Sequence, residues 1–238
     1  MILQRLNLPA MTPTLRKRLL RLGLFAVCGV TVYGLLVRLD FLMPPSVLPA
    51  VLCLTNCQET PLHSLAHLSL QTDAILNNGK PLLELLEDKR DREKISLLVE
   101  KGNYRLTVFY DLQPVKSYPV VFGSSPTGDK LAEGDQKTPE GIYRIRDRYP
   151  HSAWSKFIWL DYPTPQDWRE HFQAKLRQEI GPLATIGSEI GIHGVPSGAD
   201  GLIAQQDNWT WGCVSLQNEA VDELYQVVQQ GTVVEIVP

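Results

Sequence analysis

Sixteen consecutive residues near the N-terminus, Leu22 to Val37, carry no charge, and no other stretch so restricts what the chain can fold into. Arg5, Arg16, Lys17, Arg18 and Arg21 precede the run, and Arg38 and Asp40 follow it. A helix over the run alone rises about 24 Å at ~1.5 Å per residue, short of a bilayer's hydrocarbon core. Leu19, Leu20 and Leu39 can extend it, with Arg21 and Arg38 snorkelling to the two interfaces. The basic excess on the amino side predicts an N-terminus kept in the cytoplasm and a remainder carried across the membrane. A cleaved signal peptide is the competing expectation, but no small-x-small cleavage site follows the run. A buried core helix fits the basic flank poorly. Residues 1–44 are therefore expected to be an uncleaved anchor.

Beyond the anchor the 238-residue chain is long enough to bury a sizeable core. Its 44% apolar and 21% charged residues are the balance of a folded protein. A net charge of −3 gives nucleic acid no electrostatic footing, and that class of partner is set aside. Of the four cysteines, Cys28 lies within the apolar run. Cys53 and Cys57 follow Pro44-Pro45 and would meet an oxidising compartment, where their i,i+4 spacing allows a local disulfide or two thiols packed under a helix. Either way Cys213 stays free.

Residues 45–94 read as a helical stalk or cap. Leu62, Leu65, Ala66 and Leu68 have helical spacing, Asn77-Asn78-Gly79 is a turn, and Pro81 suits the first position of a helix striped by Leu82, Leu83, Leu85 and Leu86. Eight consecutive charged residues, Glu87 to Lys94, follow. Their signs cancel, so a solvated helix end is preferred over a wall-binding surface. His63 and His67 share a helix face but lack the remaining ligands of a zinc site.

At Ile95 the period becomes strand-like. Leu97-Leu98-Val99, a turn at Lys101-Gly102-Asn103, and Tyr104 to Tyr110 predict a hairpin. Asp111 to Pro114 turn the chain into a third strand, Val115 to Phe122, whose Pro119 argues for a sheet edge or a bulge. Gly134-Asp135-Gln136-Lys137-Thr138-Pro139-Glu140-Gly141-Ile142-Tyr143 is a turn feeding a strand. Trp154 to Tyr162 is expected to be another strand, and Thr164 to Ile180 a polar surface insertion with Trp168 and Phe172 turned inward. Val221, Leu224, Tyr225 and Val228 give Glu219 to Gln229 a helical stripe closed by Gly231, and Thr232 to Val237 make a last strand.

The chemistry sits between Ile190 and Ser215. His193 and Cys213 lie twenty residues apart, separated by loop-forming Pro196, Gly198, Asp200, Gly201 and Asn208. A thiol needs a neighbour to take its proton before it becomes a strong nucleophile near neutral pH, and histidine is the usual one. Gly212 would let a substrate carbonyl approach the backbone, with the Cys213 amide as an oxyanion donor. No ligand cluster for a metal surrounds His193, no Gly-x-Ser-x-Gly elbow supports serine catalysis, and no glycine-rich phosphate loop occurs.

His193, a loop from Gly194 to Trp209, then Thr210-Trp211-Gly212-Cys213 resembles the signature of the L,D-transpeptidase (YkuD-type) family, and the Gly134–Tyr143 stretch resembles its second recurrent motif. The resemblance spans about Ile95 to Pro238. Trp211 stands where the family has a histidine, and Ser215 where it often has Arg or Asn. The resemblance implies a mainly β fold, a YkuD-type β-sandwich over residues 95–238 with a few helices. It implies a peptidoglycan stem peptide as substrate, Cys213 as nucleophile and His193 as base oriented by the Gly194 carbonyl. Gly212 and Cys213 amides would bind the oxyanion, Thr210, Trp211 and Ser215 would meet substrate, and no cofactor or metal is called for. The setting implied is an inner-membrane anchor with a periplasmic catalytic domain, or a periplasmic protein if the segment is cleaved. Transfer to an amine, hydrolysis by water, and a dead wall-binding module are the three outcomes such a chain could have.

Overall fold

A computed structural model describes residues 13–52, 75–88 and 91–238. Contacts divide the chain into two units, residues 1–44 and 45–238. In the first, helix α1 (Pro13–Arg38) is 26 residues long, about 39 Å at ~1.5 Å per residue, so the basic flank joins the helix and makes up the length that the uncharged run lacks. Among the described residues it is the one helix long and apolar enough to cross a membrane, and no residue of its apolar stretch is buried.

The second unit is mainly β. After two single-turn helices, α2 (Leu48–Val51) and α3 (Leu82–Leu85), come β1 (Ile95–Glu100), β2 (Arg105–Tyr110) and β3 (Gln113–Pro119). Then follow β4 (Gly141–His151), β5 (Ser155–Leu160), α4 (Pro165–Leu176), β6 (Gly191–His193), α5 (Gly201–Ala204), β7 (Val214–Ser215), α6 (Asn218–Val227) and β8 (Val233–Val237). They build one eight-stranded sheet in the order β3-β2-β1-β8-β4-β5-β6-β7.

β1 and β2 form the expected hairpin, every residue of β1 buried, as a strand covered on both faces requires. Asp111 and Leu112 both take positive φ, so the next turn has only two residues and β3 begins at Gln113. β3 is the outer strand of the order, which is why Pro114 and Pro119 are tolerated in it. Its free edge is covered by part of the region expected to be a stalk: the Leu76 amide donates to Ser117 Oγ (2.6 Å) and the Ser117 amide donates to the Leu76 carbonyl (3.1 Å). In α3 only Leu82 is buried, joined by Leu86 just after it; Leu83 is exposed, because four residues form one turn rather than a stripe. The helical pattern through Leu62 to Leu68, Cys53 with Cys57, and His63 with His67 all lie outside the described residues.

β8 enters the middle of the sheet, parallel to β1 and antiparallel to β4. β4 pairs with β8 through Gly141 to Arg144, then with β5 from Ile145 onward, with a register shift after Ile145 that bends the sheet. The curl brings the residues after β3 round to β7, where Val121 bridges Ser215 and Gly123 bridges Thr210. Two expectations need correction. Thr164 to Ile180 carries a helix that the sequence reading omits: Thr164 and Asp167 form a capping box with Pro165 in the first turn, and polar α4 buries Trp168 as expected, with Phe172 stacked on it at 5.6 Å. Gly231 does not end α6, which stops at Val227 because Val228 turns extended and is buried; Gly231 instead turns the chain toward β8 with φ near 89°.

Candidate active site

Strand alternation brings the two reactive residues together. β6 runs parallel to β7 with Ile192 opposite Val214 and His193 opposite Ser215, and Cys213 directly precedes β7. His193 and Cys213 line one cavity of about 560 Å³, whose other walls include Lys130, Glu133, Trp154, Glu189, Trp209, Thr210 and Trp211. Gly194 to Trp209 folds outside the sheet, fixed by Val195 and Ile203 packed on Val121 and by Asn208, which binds the Phe122 amide and the Tyr104 hydroxyl.

His193 Nδ1 lies 2.6 Å from the Gly194 carbonyl. A carbonyl only accepts, so Nδ1 carries the proton and Nε2 keeps its lone pair. Trp154 stacks on the imidazole with ring centroids 4.4 Å apart, Phe157 lies beyond at 5.8 Å, and Trp209 meets it edge-on at 5.5 Å. Burial among these rings pushes the imidazole down to about 4, against the opposing pull of the Gly194 carbonyl. The half-buried Cys213 is pushed up to about 11, chiefly by burial, with the Gly191 amide and Lys130 acting the other way. At neutral pH the pair is thus thiol and imidazole, not thiolate and imidazolium. The thiol is turned to the Glu189 carbonyl at 3.6 Å, which Glu189 presents from a left-handed backbone (φ near 60°).

The residues around the thiol divide differently from expectation. The Gly212 amide, expected at the oxyanion, donates instead to Thr210 Oγ1 at 3.2 Å and is spoken for. Thr210 in turn donates to the Cys213 carbonyl at 2.7 Å, so this hydroxyl braces the Thr210–Cys213 turn although the residue borders the cavity. Ser215 is fully buried, and its hydroxyl donates to the Gly194 carbonyl at 3.3 Å, the acceptor that also holds His193. A side chain on Gly194 would clash, since a Cβ there would come within 2.6 Å of the Trp154 backbone carbonyl as well as 2.1 Å of Asn218 Oδ1. Trp211 is 80% exposed at the cavity mouth, so it is no packing residue. Among the described residues no group of three or more His, Cys, Asp or Glu is arranged to hold a metal.

The profile of the YkuD L,D-transpeptidase catalytic domain matches residues 94–236. The chain belongs to that family. No curated protein matches it. Among solved structures, the YkuD domain is similar to Bd1075 of Bdellovibrio bacteriovorus (24% identity over 60% of this chain and 48% of that one, TM-score 0.42). It is also similar to an L,D-transpeptidase of Mycobacterium smegmatis (13%, 61% and 59%, TM-score 0.41). A third is the helical cell shape determining protein Pgp2 of Campylobacter jejuni (24%, 66% and 55%, TM-score 0.43). The matches span only about half to three-fifths of those chains.

The second motif of this YkuD domain, Gly134 to Tyr143, packs against the Thr210–Cys213 turn. Gly212, at φ near 140°, passes so close to Lys137 that a Cβ would sit 2.7 Å from its carbonyl, and a Cβ on Gly123 would sit 2.1 Å from the Gln136 carbonyl. Thr138 Oγ1 accepts from the Gly123 amide, and Asp135 gathers the amides of Leu131, Ala132 and Lys137 and the Lys130 ammonium. Lys130, Trp154, Glu189 and Trp209 carry no readable sequence signal for the site. Glu189 and Trp209 flank the two motifs in sequence, whereas Lys130 comes from the loop before the second motif and Trp154 from the turn into β5, which pairs with β6.

Proposed function

We propose that this chain is a peptidoglycan L,D-transpeptidase held at the inner membrane by α1, with its catalytic domain in the periplasm. The observation that carries the reading is the sharing of one cavity by Cys213 and a neutral His193 whose free Nε2 can accept a proton. The thiol attacks the carbonyl carbon of the stem peptide's third residue while its proton passes to Nε2. The oxyanion is met by the Cys213 amide, the Gly212 amide being committed elsewhere; such a donor is worth about 3–4 kcal/mol. The C–N bond then breaks, Nε2 returns the proton to the departing D-Ala amine, and a thioester remains. An amine acceptor gives a cross-link or an attached protein, while water gives a shortened stem. The route uses only side chains and backbone and asks for no cofactor.

Trp211 is placed to influence that second step. Indole donates one N–H and otherwise offers an apolar face, whereas the imidazole usual in the family can also accept a proton. Incubating the full-length chain in detergent with purified muropeptides should yield cross-linked dimers; shortened monomers alone would favour the hydrolytic reading. Trp211→His should leave acylation within a few-fold but change the ratio of dimer to shortened monomer. An unchanged ratio removes the selector role.

The basic flank of α1 and its exposed apolar surface support the anchor. Fractionation should recover the intact chain with membranes, extractable by detergent but not by salt. A mature protein starting after the apolar run, found in the soluble fraction, would make α1 a signal peptide.

A further inference from the structure

We propose that Trp154 is a positioning residue for His193, fixing the imidazole through the face of its indole and through its own carbonyl so that Nε2 points into the Cys213 cavity. The inference rests on the reading of His193 as the base. One hydrogen bond from Nδ1 to the Gly194 carbonyl leaves the ring free to rock about that bond. A stacked plane removes the rocking, and Trp154 supplies it at 4.4 Å and 25°, nearer than either Phe157 or Trp209. The second grip is on the backbone. The Trp154 carbonyl accepts from the Gly194 amide at 3.0 Å, so the peptide that holds His193 is itself held by Trp154.

The platform is itself braced. His151, at the end of β4, stacks on the outer face of the indole at 4.4 Å and 11°, giving a layered imidazole–indole–imidazole arrangement. The turn from β4 to β5 is pinned to α6, where Ser155 Oγ donates to Asp222 at 2.6 Å and the Lys156 ammonium lies 3.0 Å from the same carboxylate. A Cβ on Gly194 would lie 2.6 Å from the Trp154 carbonyl, so the close approach of the two segments depends on that glycine. The indole also walls the cavity, and its half-buried ring keeps water from the imidazole face that would otherwise be solvated.

The test follows the histidine ring rather than turnover alone. The full-length chain, labelled with ¹⁵N in its histidine rings and held in detergent, is compared with Trp154→Leu and Trp154→Phe. In the wild type at pH 6, His193 should be a single neutral Nδ1–H tautomer with ring protons shifted upfield by the indole; a tautomer mixture overturns the proposal before any variant is made. Leu keeps bulk but has no flat face. It should abolish the upfield shift, let His193 titrate about one pH unit or more higher, and slow acylation by a carbapenem about tenfold or more. Phe keeps a face and should restore the upfield shift and the titration, and bring acylation to within about threefold of the wild type. Unchanged His193 signals in Trp154→Leu, or a Phe variant no better than Leu, would overturn the inference. If the ring signals behave as stated while even the wild type fails to be acylated, the positioning stands and the proposed reaction falls.

Discussion

Cys213→Ser should fold as the parent does and yet form no covalent adduct with a stem-peptide donor or a carbapenem, the family's expected covalent inhibitor. The side chain has little structural work: the thiol's contact is a long one, 3.6 Å to the Glu189 carbonyl, and a hydroxyl fits the same space. Stability should therefore change by no more than about 1 kcal/mol. Acylation should fall by roughly 10⁴-fold or more, the order lost when an acyl-transfer site is stripped of its nucleophile. Mass spectrometry of intact protein reads the adduct, and peptide mapping separates Cys213 from Cys28, Cys53 and Cys57. An adduct of unchanged yield on the serine variant would place the nucleophile elsewhere.

That Cys213 and His193 could be singled out as a candidate pair from the sequence has a physical cause. Their side chains carry unusual reactivity, each stands beside a glycine, and the loop between them is written in turn-forming residues. The hairpin at Ile95 to Tyr110 and the strand from Val233 are legible for a related reason, since burial imposes a period on local sequence. What is not local is not legible. Trp154 reaches His193 through the antiparallel pairing of β5 with β6, which sets Phe157 opposite His193, and no pattern near Trp154 announces it. The destination of a single hydrogen bond is hidden in the same way. Ser215 faces inward to the Gly194 carbonyl and the Gly212 amide faces Thr210 where the sheet curls until Val121 bridges Ser215 and Gly123 bridges Thr210. Those bridges fall outside any run of strand residues. α4 is the opposite case: Thr164-Pro165-Gln166-Asp167 carries a capping box and a first-turn proline in plain sequence, and that signal outweighs the polar composition that suggests a surface insertion.

His193→Gln should slow acylation near neutral pH by about 10²-fold or more and, more tellingly, change how the rate depends on pH. Gln keeps a donor for the Gly194 carbonyl but has no basic nitrogen. In the wild type the resting pair is neutral, with the imidazole near 4 and the thiol near 11, so the proton moves during attack. The wild-type rate should hold nearly level through neutral pH and fall as pH drops through about 4, where Nε2 takes its proton from solvent and can accept no other. Without a base only thiolate formed beforehand can react. With the thiol near 11, that is about one molecule in 10⁴ at pH 7, growing about tenfold per pH unit until pH approaches 11. The variant should therefore lose the acid limb and climb steadily from pH 7 to 10, converging on the wild type in alkali. Rates of carbapenem acylation measured from pH 4 to 10 on both proteins decide it. Two parallel profiles, offset by a constant factor, would mean that His193 shapes the site without carrying the proton.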